Sequence, residues 1–425
     1  MKKIFTLMLV ISLIIFILAA CSEDDTTNAE GKIELDFWTL FGGGDLEYME
    51  TIVEDFNNSQ DEIYVNMPAL RNSDYYTKLV TSVAANRGPD VAISHTSKIP
   101  ELRNNGLTEP LDDLAESEGL DFNEFTENLI DGTELNGNHY GVPIDTHPFI
   151  MFFNNDLASE AGLLDENGEL LMEETPEGFI DFLLKAKEAL PEGDMPLALS
   201  NAGDDPFRMW WAFYFQMGGS PMYSGSIDSP EVTMDREIAI EAADYVRSLF
   251  HEHEVIPLNL ADFYQDFQTG SAMTLTTGVW ATGIWETTDG LEFTARPLPN
   301  LFGEAATFGD SHTLIMPVKQ DTSSERQRAV VRFMDFVTDH GTDWAKAGHI
   351  PAKETVVDSK EFKDLPYRSE YAEVAEYAAF PNKTAYGDMA KTIYAQNLDL
   401  AWTNRESTED VIDSLIKDLE NLVKK

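Results

Sequence analysis

From residue 33 to its end the chain alternates short apolar runs with longer amphipathic stretches, and few architectures accept such a pattern. Residues 33–38, Ile-Glu-Leu-Asp-Phe-Trp, alternate apolar and acidic side chains before turning apolar, as a first strand should. Phe41-Gly42-Gly43-Gly44 follows, then Asp45 as an expected N-cap, with Leu46, Met49, Ile52, Val53 and Phe56 on one helical face. Residues 63–67 repeat the strand, and Asp74 is an expected cap for a helix carrying Tyr76, Leu79, Val80 and Val83. Gly88-Pro89 stops that helix, residues 90–93 form another strand, and Ser97 is expected to cap a helix ending at Gly106. Strands alternating with helices predict an α/β fold with a largely parallel sheet. Ligands of such sheets lie beyond the carboxyl ends of the strands, here the loops at 38–44 and 94–98.

The pattern restarts after Pro143. Asn136-Gly137 predicts a tight hairpin leading into Tyr140-Gly141-Val142-Pro143-Ile144-Asp145. Residues 149–153 form a strand, and Thr175-Pro176 opens a helix with a cap and an N1 proline, turning Phe179, Phe182, Leu183 and Ala186 inward. Leu197 to Leu199 is a strand, followed by a loop to Asp205 and an aromatic segment holding Phe207, Trp210 and Trp211. Residues 235–250 form an amphipathic helix. Ala272-Met273-Thr274-Leu275-Thr276-Thr277-Gly278-Val279-Trp280 reads as a buried strand stopped at a glycine. Its indole is either a core plug or a plate aimed at a cleft. Residues 313–318 form a further strand after Gly309-Asp310-Ser311, and residues 324–337 a helix. Gly348-His349-Ile350-Pro351 marks a connection, and Ser407 with Asp410 approximates a capping box for the last helix.

Lys2 and Lys3 precede an apolar run from Ile4 to Leu18 that closes on Leu18-Ala19-Ala20-Cys21. This is a secretory signal over residues 1–20, and its small residues before a cysteine resemble a bacterial lipobox. The resemblance implies cleavage before Cys21 and acylation of its thiol. Cys21 is the single cysteine of the chain, so no intramolecular disulfide can form and stability must come from a large core. Residues 21–32 are polar and read as a flexible tether. The remaining length suggests two domains. The formal charge is −47, and without Lys2 and Lys3 the mature chain carries 27 basic against 76 acidic residues, or −49. Such a field repels nucleic acid and anionic lipid.

Other chemistries lack their motifs. Neither Gly-x-Gly-x-x-Gly nor Gly-Lys-Ser/Thr follows the first strand, and no Gly-x-Ser-x-Gly elbow occurs. His251-x-His253 is the one close histidine pair, and a gap of two does not align it on a helix face. Asp165-Glu166-Asn167-Gly168 lacks the later ligands of a calcium loop and reads as a turn. No metal, cofactor or catalytic residue is therefore expected. A secreted carbohydrate-active hydrolase, needing two carboxylates across one bond, is the alternative from another class. A surface adhesion protein is a third reading.

The landmarks together resemble the extracellular solute-binding proteins of bacterial ABC importers, in the large sugar-binding family that includes maltose-binding protein. The resemblance is carried by Cys21, Leu79 with Gly88-Pro89-Asp90-Val91, Tyr140-Gly141-Val142-Pro143 followed by Asn154, and Thr175-Pro176. Phe267-x-x-Gly270-x-Ala272-Met273 with Gly278-x-Trp280, and Gly348-x-x-Pro351, complete it. It implies a two-lobed α/β fold of the periplasmic-binding-protein type (class II), with crossings near residues 140–145 and 301–311. The lobes would be 33–143 plus 305–340 and 144–304 plus 341–425. A sugar or oligosaccharide would lie between them and pass to ABC permease subunits, from a monomer anchored by its lipid on the outer face of the cytoplasmic membrane. Among site residues the resemblance implies Trp280 as a stacking plate and Asp145 and Asp205 as hydroxyl-binding acids. Phe207 stands where maltose-binding protein stacks a tyrosine, while Ser97 and Lys98 replace its Asp-Arg pair. Phe41 and the glycines around Gly43 replace its first-loop Asp-Lys pair. Trp38, Trp285 and Tyr386 are further candidate plates.

Overall fold

A computed structural model describes residue 28 and residues 31–42, 44–70 and 74–424. The signal run, Cys21 and Gly43 lie outside the described residues. The strands that matter are β1 (Ile33–Trp38), β2 (Ile63–Asn66), β3 (Val91–His95), β4 (Val142–Pro143), β5 (Asp145–Thr146) and β6 (Phe149–Asn154). They continue with β7 (Met195–Ala198), β8 (Ala272–Gly278), β9 (Phe293–Pro297), β10 (Thr307–Phe308), β11 (His312–Ile315) and β12 (Ile350–Pro351). The helices used below are α1 (Gly44–Ser59), α2 (Tyr75–Ala84), α3 (Pro176–Ala189), α4 (Asp204–Gln216), α5 (Arg236–His251), α6 (Ser324–Asp339), α7 (Gly387–Trp402) and α8 (Thr408–Val423). No helix among the described residues is long and apolar enough to cross a membrane.

Two sheets organise two lobes. The first has the order β2-β1-β3-β11-β4, the second β9-β6-β8-β7. β1 runs parallel to both β2 and β3, as the alternation predicts, whereas β11 runs antiparallel to β3 and β4. In the second sheet β8 is parallel to β7, but β6 is antiparallel to β8 and β9. The expectation of a largely parallel sheet therefore holds for only part of each. The physical reason is the crossings. A strand entering from the other lobe arrives at the carboxyl ends of the resident strands, so β11 and β6 must run against them.

Both faces of the inner strands are covered, so β3, β6 and β8 are buried along nearly their whole length, whereas β1 and β2 keep one less buried face. Along β3, Val91 and Ile93 enter one core while Ala92 enters the other, the period-2 alternation of a strand. β6 divides likewise, Phe149, Met151 and Phe153 to one side, Ile150 and Phe152 to the other. The first lobe packs Leu35, Phe37, Met49, Ile52 and Phe333 between β1, α1 and α6. The second is larger, with Phe207, Trp210, Trp211, Tyr394, Trp402 and Leu415 joining α4, α5, α7 and α8.

Local signals differ in outcome. Thr175 Oγ1 accepts from the Gly178 N–H at 3.0 Å, so α3 starts where its cap and proline place it. Asn136 and Gly137 take φ of 55° and 81°, the left-handed pair of a type I′ hairpin. Ser407 Oγ accepts from the Asp410 N–H at 3.2 Å at the start of α8. Three expected caps are corrected. α1 begins at Gly44, so Asp45 lies inside its first turn, and Asp74 makes no side-chain cap bond. Ser97 sits inside a 3-10 turn, its hydroxyl turned 2.5 Å from Asp310 Oδ2. The hydroxyl donates to that carboxylate and makes no capping bond, in which its oxygen would accept from a backbone N–H.

Three segments cross between the lobes and pair with one another. The Ile144 N–H donates to the His312 carbonyl at 2.8 Å, and the His147 N–H to the Asp310 carbonyl at 3.0 Å. On the other side Ile350 pairs with Thr146 and Pro351 with Asp145, antiparallel. The Ala352 N–H donates to the Ile144 carbonyl at 3.1 Å. The result is a narrow three-segment ribbon, the only backbone-paired bridge joining the two sheets among the described residues.

Candidate functional site

The interlobe region holds two side-chain groups. The first grows from the end of β8. After Gly278 the chain turns, and the Trp280 ring folds back over the glycine. A Cβ built on Gly278 would lie 1.8 Å from Trp280 Cζ3, so only glycine leaves room for this ring. Trp280 Nε1 donates to Tyr264 Oη at 3.0 Å, and Tyr264 Oη lies 2.6 Å from Thr277 Oγ1. The Arg208 guanidinium, from α4, covers the indole at 5.0 Å from its centroid. Arg208 also binds Asp205, and Thr277 Oγ1 donates to Asp205 Oδ2 at 3.0 Å. Burial pushes the Asp205 carboxyl above its ordinary value although Arg208 and Thr277 oppose it. Burial lowers Arg208, but Asp205 and Asp204 outweigh it and raise the guanidinium further. Burial and the Asp205 charge lift Tyr264 to about 12. Asp204 closes the group by accepting from Lys391 at 2.8 Å.

The second group sits on the crossing ribbon. Asp145 is 0% exposed, and its carboxylate accepts from the His312 N–H at 2.9 Å and the Trp344 indole N–H at 2.6 Å. His312 Nδ1 stands 2.8 Å from Asp145 Oδ2, and His147 Nδ1 3.3 Å from Oδ1. His349 lies against the flat face of Trp344, centroids 4.6 Å apart. His95, at the end of β3, stands 5.2 Å from the His312 ring. Burial raises the Asp145 carboxyl, but His312 and His349 outweigh it and hold it well below the carboxylate range. Burial, then His312, drives His147 down to about 3, and burial holds His95 well below an ordinary histidine. His349 moves upward instead, because Asp45 and Asp145 outweigh its burial.

The structure brings together some of the residues singled out from the sequence and separates others. Trp280 and Asp205 share the first group, and Asp145 anchors the second. Phe41 is buried beside it, 4.9 Å from His312 and 4.7 Å from Trp344 between ring centroids. Ser97 and Asp310 line an interlobe cavity of about 210 Å³ with Phe380 and Lys383. Phe207 is 1% exposed, stacked on Tyr394 within the second core, and Trp285 is 2% exposed against Phe152 and Phe267. Both rings pack as core, because α4 and the turn after β8 direct them into the lobe. Tyr386 is half-buried against the same core. Trp38 packs at the edge of the first lobe under Lys78, 4.8 Å from its ring.

Sequence reasoning missed Arg208, Tyr264 and all four histidines. Of eight histidines in the chain, His95, His147, His312 and His349 meet at the crossings. The available signal was their position. His147 and His312 each follow an acid of a crossing segment, and His349 lies inside Gly348-x-x-Pro351.

The lobes touch outside the ribbon as well. Lys98 Nζ reaches Asp388 Oδ2 at 3.0 Å, and Lys383 reaches Asp131 at 3.0 Å. The hairpin of residues 223–232 rises from the second core and lays Ile227 against the smaller apolar cluster of the first lobe. Asn104 Nδ2 donates to Asp228 there at 2.9 Å. The cavity left between these contacts, at Ser97 and Asp310, holds about 210 Å³, so the lobes meet on several sides of it.

Two α/β lobes, a ribbon of crossings and a group of aromatic and polar side chains between them define a hinged binding protein. Residues 51–370 match the profile described as bacterial extracellular solute-binding protein, and the chain belongs to that family. The arabinooligosaccharide-binding protein of Bacillus subtilis (strain 168) is 22% identical over 386 residues, 87% of this chain and 85% of that one. Among solved structures, the GacH receptor of Streptomyces glaucescens, known with acarbose, superposes with a TM-score of 0.79 at 15% identity, over 92% of this chain and 98% of its own. UgpB from Mycobacterium tuberculosis, in complex with glycerophosphocholine, also reaches 0.79 at 18% identity, over 93% and 99%. These likenesses establish the two-lobed fold. One fold carrying such different ligands leaves the choice to the side chains of the cleft.

Proposed function

We propose that this chain is the substrate-binding protein of an ABC importer and holds a neutral sugar or oligosaccharide between its lobes. The observation that carries this is the Trp280 group, with an aromatic plate beside Asp205, Arg208, Tyr264 and Thr277 at the carboxyl end of β8. A pyranose or furanose offers apolar C–H faces to a ring and hydroxyls to fixed donors and acceptors. The cations near the cleft favour a neutral ligand over a phosphate. Arg208 is bound by Asp205 and Asp204, Lys391 by Asp204, and Lys98 by Glu101 and Asp388. The Bacillus relative's arabino-oligosaccharide ligand points the same way.

In this reading the lobes are 33–143 plus 305–340 and 144–304 plus 341–425. Trp344 and Ala352 nevertheless pack in the first core. Ligand bridging both lobes shifts an open–closed equilibrium toward the arrangement described above. The closed form then docks on ABC permease subunits, from a monomer held by acylated Cys21 on the outer face of the membrane.

The test is a fluorescence and thermal-shift screen of arabino-, malto- and other oligosaccharides against the mature protein. One class should bind, raise the melting temperature and be recovered chemically unchanged. Trp280→Ala should weaken that binding by about 1–3 kcal/mol while the protein stays folded. Turnover of any glycoside, lost on mutating a single acid, would establish the hydrolase reading instead.

A further inference from the structure

We propose that Asp145, His147, His312 and His349 form a site for a divalent transition metal of the zinc class, built into the hinge between the lobes. One ligand atom from each of the four lies within 4.8 Å of the others, and all four side chains are buried. Three imidazoles and a carboxylate are a donor set that zinc accepts in tetrahedral geometry.

The independent sign is His349. It is 0% exposed, yet neither ring nitrogen has a hydrogen-bond partner. Its Nδ1 points toward Asp145 Oδ2 at 3.5 Å and its Nε2 toward Asp45 Oδ1 at 3.4 Å, approaches that do not meet hydrogen-bond geometry. Buried polar nitrogens are ordinarily satisfied, so a ring that meets two carboxylates without closing a hydrogen bond to either has nitrogens open to a ligand. Orienting contacts are also in place. The Trp344 N–H holds Asp145 Oδ2 at 2.6 Å while its ring fixes the plane of His349, the outer-shell role that ligand-supporting groups play.

Geometry sets what binding must do. Around an ion with bonds of about 2.1 Å, tetrahedral donors sit about 3.4 Å apart. The widest pair must therefore close by roughly 1.4 Å, through side-chain rotation and a small approach of the segments bearing them. Those segments are the three crossings. Asp145 and His147 lie on the first, His312 where the second enters β11, and His349 just before β12. An ion shared among them pins all three and restricts the hinge angle. The acidic field of the chain raises the local concentration of divalent cations without choosing among them.

The mature chain, tag-free and stripped with chelator, is titrated with ZnCl2 by calorimetry, and with CoCl2 by visible absorption. The expected result is one saturable zinc per chain, a raised melting temperature, and the d–d bands of tetrahedral cobalt. His147→Ala and His349→Ala should each lower zinc affinity at least about tenfold. His251→Ala/His253→Ala should bind zinc as the wild type does. No saturable binding by the wild type would overturn the proposal. So would unchanged binding by the His147→Ala/His349→Ala double variant with a native circular-dichroism spectrum, or loss of binding in the His251/His253 control. Should an alanine variant unfold, His349→Gln, close in size but a poor zinc ligand, gives the same comparison.

Discussion

Replacing Gly278 by alanine tests the placement of Trp280 without touching the indole itself. Gly278 has φ −80° and ψ 162°, extended backbone that alanine adopts freely, so the effect is steric alone. The new methyl would lie 1.8, 2.1 and 2.2 Å from Cζ3, Cη2 and Cε3 of Trp280, and the ring must leave. It then loses its 3.0 Å hydrogen bond to Tyr264, worth about 1 kcal/mol, and the Arg208 contact, worth about 0.5–1 kcal/mol. Re-exposing part of the indole adds about 1 kcal/mol. Alanine restricts the unfolded chain and offsets about 0.5–1 kcal/mol. The net loss is about 1.5–2.5 kcal/mol in urea unfolding followed by circular dichroism. Tryptophan emission should shift to the red as the ring meets water, and affinity for the best oligosaccharide should fall with it. A Gly278→Ala protein with wild-type stability, emission and affinity would refute the position assigned to the ring.

Other outcomes follow from groups farther away. Asp90, 4% exposed, is held by Arg326 at 2.7 and 2.8 Å and by Lys319 at 2.9 Å. Burial raises its carboxyl, but Arg326, the Asp36 N–H and Lys319 outweigh it and leave it below the ordinary value. A depressed folded value contributes stability above the unfolded pKa of about 3.9 and loses it as pH falls through the folded one. Asp90→Asn should therefore cost about 2–4 kcal/mol at pH 7, with the gap to wild type narrowing below pH about 4; a gap that widens in acid contradicts this. Phe207→Ala, emptying a space between Tyr394, Trp211 and Phe308, should cost about 3–5 kcal/mol in urea unfolding, the mark of core rather than cleft. Ile227→Asp, at the hairpin tip that rests on the first lobe, should enlarge the radius of gyration in X-ray scattering while leaving secondary structure intact.

Much of the fold was legible in the chain because it depends on neighbours in sequence. The run at 272–278 is a strand buried at every position, Asn136-Gly137 makes its hairpin, and Thr175-Pro176 starts its helix. Each signal acts within a few residues, through side-chain alternation, a left-handed turn or a cap. Strand direction is different. It depends on which lobe a strand enters from, and β11 and β6 reverse for that reason alone. Aromatic roles are different too. Phe207, Trp280 and Trp285 are equally apolar in sequence, yet only Trp280 stays partly exposed, since Gly278 gives its ring a place to lie. The hinge cluster was the least legible feature. Its donors come from three crossings far apart in the chain, and only the pairing of those crossings puts Asp145 and His147 within reach of His312 and His349. Local sequence determined the strands and turns of this protein and the caps at Thr175 and Ser407. The tertiary structure decided which side chains meet between its lobes, because that meeting depends on distances in space that no spacing along the chain records.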